Sequence, residues 1–417
     1  MTSVPLRRNR DFVLLQIGQA LSTLGTESTR IAYPLLVLAL TRSPAKAGVV
    51  GFAQFLPYVL FAVPAGLAAD RWNRRRLMLL ADGGRALAIG SLVATLALHA
   101  ATFGQIVAVA FVEGALFALF NIAETGALRA VVPAPQLPRA AAGEQTRIAT
   151  VQLAAPSLGG ALFGVARLVP FLFDALSYVF SVVSLLAIRT PFQEDRPTTA
   201  ERAREQVAEA YRWLREHRFL WAAQLLAAMS NVVYEAAFLT LVVAAHRQKL
   251  SSTAIGGLVA VLGATMLAGS LFAPILQRRL SVRAMTRLQS WPLAALAAFV
   301  VVPNAYVLVA AALPALFLVP TTAATVIGLR NGLAPDRLVG RINGIARTLA
   351  VSGTPLGSLA AGFLLGAFSE RATVAILLGW TAVLTLWAFT SPSLRESPSL
   401  AELDDVVRPA ASPAATG

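Results

Sequence analysis

The sequence contains no cysteine and only three histidines among its 417 residues. Disulfide bonds and thiolate metal sites are therefore excluded. The histidines, His99, His217 and His246, are far apart in the chain, so we expect solvated surface residues rather than a metal or catalytic cluster. The sequence also has no GxxxxGK phosphate loop, no HExxH zinc motif and no GxSxG nucleophile motif. We predict no enzyme activity, no ATP hydrolysis, no bound metal and no cofactor.

Charged residues are scarce as well. They make up 13% of the chain, hydrophobic residues make up 57%, and the mean hydropathy is +0.67. A soluble globular protein does not have this composition. A membrane-spanning helix needs about 20 mostly apolar residues, and twelve such runs follow one another. The predicted spans are 12–40, 46–69, 77–99, 104–129, 139–164, 168–189, 219–244, 254–277, 284–302, 305–329, 338–366 and 371–391.

The first of these runs follows the basic segment LRRNR but is too long for the apolar region of a signal peptide. We therefore interpret it as a helix of the mature protein.

The net charge of +14 does not indicate a nucleic-acid partner, because the basic residues are confined to alternate loops. With the N-terminus in the cytoplasm, 25 of the 35 arginines and lysines fall on the cytoplasmic side, six fall outside and four lie within apolar runs. This distribution follows the positive-inside rule and predicts that both termini are cytoplasmic. We expect a multi-pass protein of the cytoplasmic membrane.

The two halves of the chain resemble each other at an offset of about 200 residues. PSLGGALFG, from Pro156, corresponds to PLGSLAAG, from Pro355. GLAADRWNRRRL, from Gly66, corresponds to GSLFAPILQRRL, from Gly269. Internal repeats of this kind are common in transporter folds. We predict an all-α integral membrane protein in which twelve transmembrane helices form two pseudo-symmetric six-helix bundles.

The predicted boundaries follow from this repeat. The N-terminal bundle comprises residues 1–189 and the C-terminal bundle residues 219–391. Between them, residues 190–218 are predicted to form a cytoplasmic linker with an amphipathic helix. The Pro-, Ser- and Ala-rich residues 392–417 are predicted to be a disordered cytoplasmic tail.

Several motifs resemble the major facilitator superfamily. Gly66, Asp70, Arg71, Arg74 and Arg75 resemble its GxxxDRxGRR signature between the second and third helices, with asparagine in place of one glycine. NRDFVLLQIGQALSTLG and PFLFDALSYVFSVVSLLAI resemble its enterobactin exporter-like and macrolide-efflux-like branch. The resemblance implies twelve helices, a central cavity and alternating access.

Two further signatures bear on proton coupling. AAPSLGG is similar to the antiporter signature GPxxGG, with Ala155 in place of the first glycine. Many drug–proton antiporters of this family carry an arginine in the fourth helix, where this chain has Ala110. The resemblance therefore implies antiport but not coupling through that arginine.

Charged residues inside the apolar runs are the candidate site, because each costs roughly 2.5 to 3.5 kcal/mol at the bilayer centre. Glu27 and Arg30 share one face of the first span at a spacing of three residues. Glu113 and Glu235 each lie nine residues from the outer end of their span, which places them near mid-depth. The resemblance implies that the first, fourth and seventh helices line the cavity.

Two interpretations of these charges are open. Glu27, Glu113 and Glu235 either exchange protons or bind a cationic substrate in a water-filled cavity. Alternatively, Glu27 and Arg30 neutralise each other, and the other two carboxylates pair with neighbouring helices. Gln54 and Asn231 either complete hydrogen bonding in that cavity or hold helices together.

A cytoplasmic gate is the second hypothesis, with Gly66 allowing close approach. We expect Asp70 to meet a helix N-terminus near residues 338–340, and Arg74 or Arg71 to reach Glu124. Arg147 is expected to pair with Glu124 or Glu144, with Arg347 as its counterpart in the other half. Asp174 is expected to serve at a helix start or a helix interface. The predicted helix-bending residues are Pro156, Gly159, Gly160, Pro355 and Gly357.

Together these observations predict a secondary transporter that exports a small amphipathic molecule, such as a drug, antibiotic or siderophore, by proton antiport. The expected partners are this substrate, protons and the lipid bilayer, and the protein is expected to function as a monomer. The alternatives are a lipid or lysolipid translocator of the same fold, or a nutrient importer.

Overall fold

The structure, a computed structural model, describes residues 5–192, 200–281, 284–285, 287–288 and 295–395. Throughout these residues the regular elements are helices. The first half has two 3₁₀ turns, Leu6–Arg8 and Ala134–Gln136, and six long helices. These are α1 (Arg10–Thr41), α2 (Pro44–Arg71), α3 (Arg74–Ala97), α4 (Phe103–Val131), α5 (Leu137–Val165) and α6 (Val169–Ala187).

The linker contains α7 (Ala200–Glu216). The second half comprises α8 (Arg218–Arg247), α9 (Ser252–Arg279), α10 (Ala297–Val301), α11 (Ala305–Leu333), α12 (Val339–Val351), α13 (Gly353–Ala367), α14 (Glu370–Thr390) and α15 (Pro392–Arg395).

Many of these helices begin after a short loop, and the polar side chain of the last loop residue caps the helix N-terminus. The Ser43 hydroxyl accepts a hydrogen bond from the Lys46 backbone N–H, and the Asn73 amide oxygen accepts one from Arg76. Such caps satisfy N–H groups that have no partner inside the helix. The same arrangement occurs at Asn9, Thr102, Ser251, Asn304 and Ser369.

Ten of the described helical segments are long and apolar enough to cross a membrane. The 32-residue helix α1 is not one of these ten. The predicted span 284–302 is described only in part, and α10 is the one helix with stated bounds among its described residues. The predicted all-α membrane fold is confirmed, whereas the count of twelve spans stays a prediction.

The predicted span 338–366 is interrupted at Ser352, where α12 meets α13. Ser352 keeps helical dihedral angles (φ −62°, ψ −21°), so the chain keeps a helical course through this interruption. Pro355 causes it, because proline has no N–H to donate to the carbonyl of Val351. At the corresponding Pro156 of the first half, α5 continues without interruption.

The segments outside the bundles also make contacts. Ala210 and Leu214 of α7 are completely buried. Glu209 of α7 also forms an ion pair with Arg337, which lies in the loop before α12. The tail predicted to be disordered from Pro392 begins with the helical turn α15, because Leu394 is buried there. The rest of the tail, residues 396–417, lies outside the described residues.

A carboxylate fixes the start of α1 to the end of α6. Asp11 accepts hydrogen bonds from the backbone N–H and hydroxyl of Thr190, at 2.9 and 2.6 Å, and from the N–H of Arg189. Partial burial raises the pKa of Asp11, but these bonds and the charge of Arg10 outweigh it, so the pKa lies below its usual value. The contact is therefore fully formed at neutral pH.

The loops divide the bundles into two ends. We call the end with the arginine-rich loops the basic end, and the other the opposite end. The described loops of the basic end include residues 72–73, 132–136 and 334–338, and those of the opposite end include residues 42–43, 98–102, 166–168 and 248–251.

At the opposite end the two halves touch backbone to backbone at two glycine crossings. A Cβ built on Gly48 of α2 would lie 2.7 Å from the Cα of Gly362 in α13. One built on Gly160 of α5 would lie 2.9 Å from the Cα of Gly256 in α9. Side chains do not approach backbone this closely, so only glycine permits these crossings. They close the opposite end.

The basic end is not closed in this way. A Cβ added to Gly66, Gly340 or Gly344 would meet no described atom within 4 Å. Gly66, predicted to allow close approach, therefore faces open space. Among the described residues, these three glycines therefore form no crossing at the basic end like the two at the opposite end.

Candidate functional site

A cavity of about 170 Å³ lies between the two halves. It contains four of the predicted cavity residues, Glu27, Arg30, Gln54 and Glu113. The remaining lining residues come from both halves and mix apolar rings with polar groups. They are Thr26, Phe55, Tyr58, Val59, Gly114, Phe117, Arg347, Val351 and Thr354.

Arg30 connects the two halves at the end of this cavity. Its guanidinium lies 3.0 Å from the Glu235 carboxylate of α8 and 3.8 Å from the Glu27 carboxylate of α1. The rings of Phe55 and Phe238 lie 5.5 and 5.2 Å from the guanidinium carbon, within the range of a cation–π contact. Arg30 is thus bound by both halves.

A second, smaller cavity of about 20 Å³ lies beyond this ion pair. Arg30, Gln54, Phe55 and Glu235 contribute to its wall, together with residues nearer the opposite end. These include Ala47, Gly51 and Ser358. The Arg30–Glu235 pair therefore separates the main cavity from the closed opposite end.

We expect Glu235→Gln to favour opening of the opposite end, because the substitution removes an ionic contact between the halves. If the Arg30–Glu235 contact stabilises the closed conformation by about 1 to 3 kcal/mol, its loss would change the equilibrium between the closed and open conformations roughly 5- to 150-fold. A cysteine introduced at Ala47, which is 2% exposed, reports the opening through its labelling rate with a membrane-impermeant maleimide.

Glu370→Gln is the matched control, because Glu370 pairs with Arg247 at 3.2 Å within one half. Equal labelling rates in the Glu235 variant and this control would contradict a role of Glu235 in holding the halves together.

Glu113 extends from the cavity into the first half. It is 1% exposed and accepts hydrogen bonds from the hydroxyls of Tyr33, at 2.8 Å, and Tyr178, at 3.1 Å. Tyr33 belongs to α1 and Tyr178 to α6, so three helices meet at this carboxyl group.

Arg85 lies next to this carboxyl group and is only 2% exposed. Its guanidinium donates to the hydroxyls of Thr26, at 2.8 Å, and Tyr178, at 2.6 Å, and to the carboxylate of Asp82, at 3.3 Å. It also lies over the ring of Tyr178, 4.0 Å from the centroid. Because Arg85 is buried, water cannot replace these partners.

Asp174 completes the group. It is completely buried, five residues into α6, and accepts a hydrogen bond from the Thr29 hydroxyl at 3.2 Å. Its side chain does not cap the helix, so the expected place at a helix start is incorrect. It lies at the interface of α1 and α6, which was the other expectation.

Sequence reasoning missed Asp82, Arg85 and Tyr178. The first two had a signal, since ADGGR places opposite charges three residues apart inside an apolar run. Tyr178 had none, because a tyrosine in an apolar run is equally typical of a packed core.

The comparison with known families decides the identity of this architecture. The model of the Major Facilitator Superfamily matches residues 15–333.

The chain belongs to the major facilitator superfamily.

Two similar proteins are efflux proteins. This major facilitator superfamily chain is 27% identical over 423 residues to the multidrug efflux pump Tap of Mycobacterium tuberculosis, covering 96% of this chain and 97% of Tap. It is 25% identical over 229 residues to macrolide efflux protein A of Streptococcus pyogenes, covering 54% of this chain and 56% of that protein.

A solved structure shows the same fold. A bacterial homologue of the human lysosomal transporter Spinster, in an inward-facing and unoccupied conformation, aligns with a TM-score of 0.72 and 17% identity. The alignment covers 94% of this chain and 100% of that one. The family match and the ten candidate spans together make this superfamily member a multi-pass membrane transporter.

Arg147 of this facilitator-superfamily transporter pairs inside one half. Its guanidinium lies 3.1 Å from Glu124 and 3.9 Å from Glu144, and donates to the Thr23 hydroxyl at 3.1 Å. Glu124 was expected to meet Arg74 or Arg71. The Arg74 guanidinium instead lies against Gly126 of α4, and the side chains of Asp70 and Arg71 lie outside the described part of the structure.

Arg347 is the gate candidate that reaches across the halves. It donates to the Asn121 side-chain oxygen of α4 at 3.3 Å and lies 5.8 Å from the ring centroid of Tyr58 in α2. Arg147 and Arg347 therefore occupy corresponding positions in the repeat but make different connections in this conformation.

The remaining candidates hold helices together. Asn231 is not among the residues lining either cavity, and its amide donates to the Ala350 carbonyl at 2.9 Å. Gly159 packs against the Ser28 carbonyl of α1, and Gly357 packs against Val232 of α8. These contacts fix α5 and α13 within their own halves.

Proposed function

We propose that this transporter exports small amphipathic molecules, of the drug, antibiotic or siderophore type, across the cytoplasmic membrane in exchange for protons. It works by alternating access, as a monomer with both termini in the cytoplasm. The observation that carries the proposal is a central cavity that combines carboxylates, arginines and aromatic rings and is closed at the opposite end by the two glycine crossings.

The composition of the cavity supports an amphipathic substrate. Phe55, Tyr58 and Phe117 offer apolar surfaces, whereas Glu27 and Arg30 offer charges of both signs. The Glu27 side chain is 29% exposed, and its contact with Arg30 is long. Glu27 is therefore placed to meet a cationic group of the substrate, with the aromatic rings around it.

The direction of transport follows from charge and closure together. The positive-inside rule assigns the basic end to the cytoplasm. The two glycine crossings then close the extracellular end, so we expect the cavity to open toward the cytoplasm, the side from which an exporter binds its substrate. The names of the efflux relatives support the same direction.

Proton exchange involves the carboxyl groups at mid-depth. Protonation of Glu235 removes its attraction for Arg30, and Arg30 then has Glu27 as its remaining carboxylate partner on α1. Opening of the opposite end releases the substrate, and proton loss to the cytoplasm restores the original pairing. Glu113 lines the same cavity and belongs to this exchange.

The cytoplasmic gate is the corresponding closure at the basic end. In the outward-facing state, Asp70 meets the start of α12 while Arg71 and Arg74 hold the ends of α2 and α3 against α4. The open space at Gly66 is then filled. Arg347, Glu124 and Arg147 exchange partners during the same step.

The test is transport of ethidium into proteoliposomes. Ethidium is a permanently charged amphipathic cation, so a pH gradient alone does not accumulate it. We expect an acidic lumen to drive its accumulation in exchange for outgoing protons, and dissipation of the gradient to abolish the accumulation. In Glu27→Gln and Glu113→Gln, accumulation should fall to the level of protein-free liposomes.

Glu216→Gln, at the exposed end of α7, is the control and should transport like the unaltered protein. Erythromycin exchange is measured in parallel as a second amphipathic probe. Movement of neither probe would contradict the substrate class. Ethidium flux that ignores the pH gradient would contradict proton antiport, and full accumulation in both cavity variants would contradict the site.

A further inference from the structure

Three carboxyl groups and one guanidinium are enclosed inside the first half. Asp82 and Asp174 are 0% exposed, Glu113 is 1% exposed and Arg85 is 2% exposed. They belong to α3, α4 and α6, and α1 covers them with Tyr33, Thr26 and Thr29. We call these four residues the buried carboxyl cluster.

The charges of this cluster do not balance. Arg85 neutralises one carboxylate, so full ionisation would leave two negative charges uncompensated in a buried site. In the adjoining cavity, Glu27 and Glu235 face two cations, Arg30 and Arg347. A buried uncompensated carboxylate is costly enough that such groups take up protons instead.

Two oxygen atoms point to where protons bind. Oδ2 of Asp82 and Oδ1 of Asp174 are buried and have no hydrogen-bond partner in good geometry among the described residues, although the hydroxyl of Ser181 lies beside Asp82 and that of Tyr178 beside Asp174. A negative oxygen without a donor is a high-energy state in a protein interior. Protonation removes the charge that makes this state costly.

The cluster is connected to the cavity. Glu113 and Thr26 line the cavity, and both contact the Tyr178 hydroxyl. From Tyr178, hydrogen bonds continue to Arg85 and then to Asp82. A proton that reaches Glu113 from cavity water therefore enters a hydrogen-bonded group rather than an isolated site.

The carboxyl groups also lie at different depths. Asp82 follows the start of α3 by eight residues, or about 12 Å from the basic end. Asp174 follows the start of α6 by five residues, or about 8 Å from the opposite end. Between them the cluster covers much of the thickness of the first half.

We propose that the buried carboxyl cluster binds the proton that drives transport, with Asp82 and Asp174 as proton-binding residues that never touch the substrate. Glu113 belongs to both the cluster and the cavity and couples proton binding to substrate binding. This inference rests on the proposed proton antiport.

The described surroundings of the cluster contain other titratable and charged groups. Glu27 and Tyr33 face it from α1 and Tyr178 from α6, while Glu124 and its partner Arg147 lie nearer the basic end. The second half has one buried carboxylate in its described part, Glu235, which already pairs with Arg30. Proton binding is therefore concentrated in the first half.

Infrared spectroscopy of the purified, substrate-free protein tests proton binding directly. Protonated carboxyl groups have a carbonyl-stretch band that carboxylates lack. We expect this band at neutral pH, a partial loss of it in Asp82→Asn and in Asp174→Asn, and its disappearance on alkaline titration of the unaltered protein. Glu216→Gln should keep the full band.

An unchanged band in both asparagine variants would overturn the inference, and so would its absence from the unaltered protein at neutral pH. If an asparagine variant does not fold, the titration of the unaltered protein still decides. A band that disappears on addition of sodium ions at constant pH would assign the cluster to sodium and would also overturn the inference.

Transport measurements separate this inference from the proposed function. In Asp174→Asn we expect ethidium exchange without a gradient to continue, and gradient-driven accumulation to be lost. If the unaltered protein exchanges neither ethidium nor erythromycin, the proposed function fails. If both asparagine variants keep gradient-driven accumulation, the inference alone fails.

Discussion

Replacing Gly160 by leucine should abolish transport and hold the opposite end open. The Cβ would meet backbone atoms of Ser252 and Gly256 in α9, and a backbone contact cannot be relieved by rotating a side chain. Overpacking costs about 1 to 3 kcal/mol, which corresponds to a shift of roughly 5- to 150-fold between the two conformations. The leucine side chain adds further overlap, so transport should fall to background.

The labelling of a cysteine at Ala47 measures this shift, and the chain has no other cysteine to interfere. Its reaction with an impermeant maleimide should accelerate in the Gly160 variant. Gly257→Leu is the matched control, because Gly257 adjoins Gly256 but a Cβ there meets no described atom within 4 Å. Normal transport by the Gly160 variant would show that the crossing is not a closure.

The second large effect is expected from Arg85→Leu, through loss of stability. Removing one partner of a buried ion pair typically costs about 3 to 5 kcal/mol, because the other charge remains buried. Here the loss also includes the hydrogen bonds to Thr26 and Tyr178 and the contact with the Tyr178 ring. The melting temperature in detergent, followed by tryptophan fluorescence, should fall strongly.

The pH dependence of this loss identifies its cause. With Arg85 removed, protonation of the cluster carboxylate that it neutralised relieves the uncompensated charge, so the destabilisation should shrink as the pH is lowered. The double variant Arg85→Leu with Asp82→Asn should be less destabilised than the sum of the single variants. Arg129→Leu is the control, since Arg129 is exposed at the end of α4. If the loss of stability is equal at every pH, it arises from lost packing of the Arg85 side chain rather than from an uncompensated charge.

The helices were largely predictable from the sequence, because apolar runs and capping residues act locally. The predicted span 46–69 lies within α2, which starts after its cap Ser43. Pro355 was among the predicted helix-bending residues, but so was Pro156, at which α5 continues without interruption. The effect of a proline depends on its neighbours, which the sequence does not identify.

The site was predictable only in part. Glu27, Arg30 and Glu113 were found because a charge in an apolar run needs a physical reason. The pairing of Arg30 with Glu235 joins residues 205 positions apart and depends on how the halves meet. Asp82 and Arg85 have the same three-residue spacing as Glu27 and Arg30 but were overlooked, because the resemblance places the first, fourth and seventh helices, and not the third, at the cavity.

The interruption at Ser352 separates the motions of the two segments that it joins. α13 is fixed at Gly353 and Gly357 against α8, and at Gly362 against α2, whereas α12 carries Arg347 at the basic end. α12 can therefore tilt inward over a bound molecule before the glycine crossings separate. In the proposed cycle the molecule would then be occluded for a time, with no continuous water path across the membrane. Ions would not leak through during turnover, and the carrier itself would not dissipate the gradient proposed to power export.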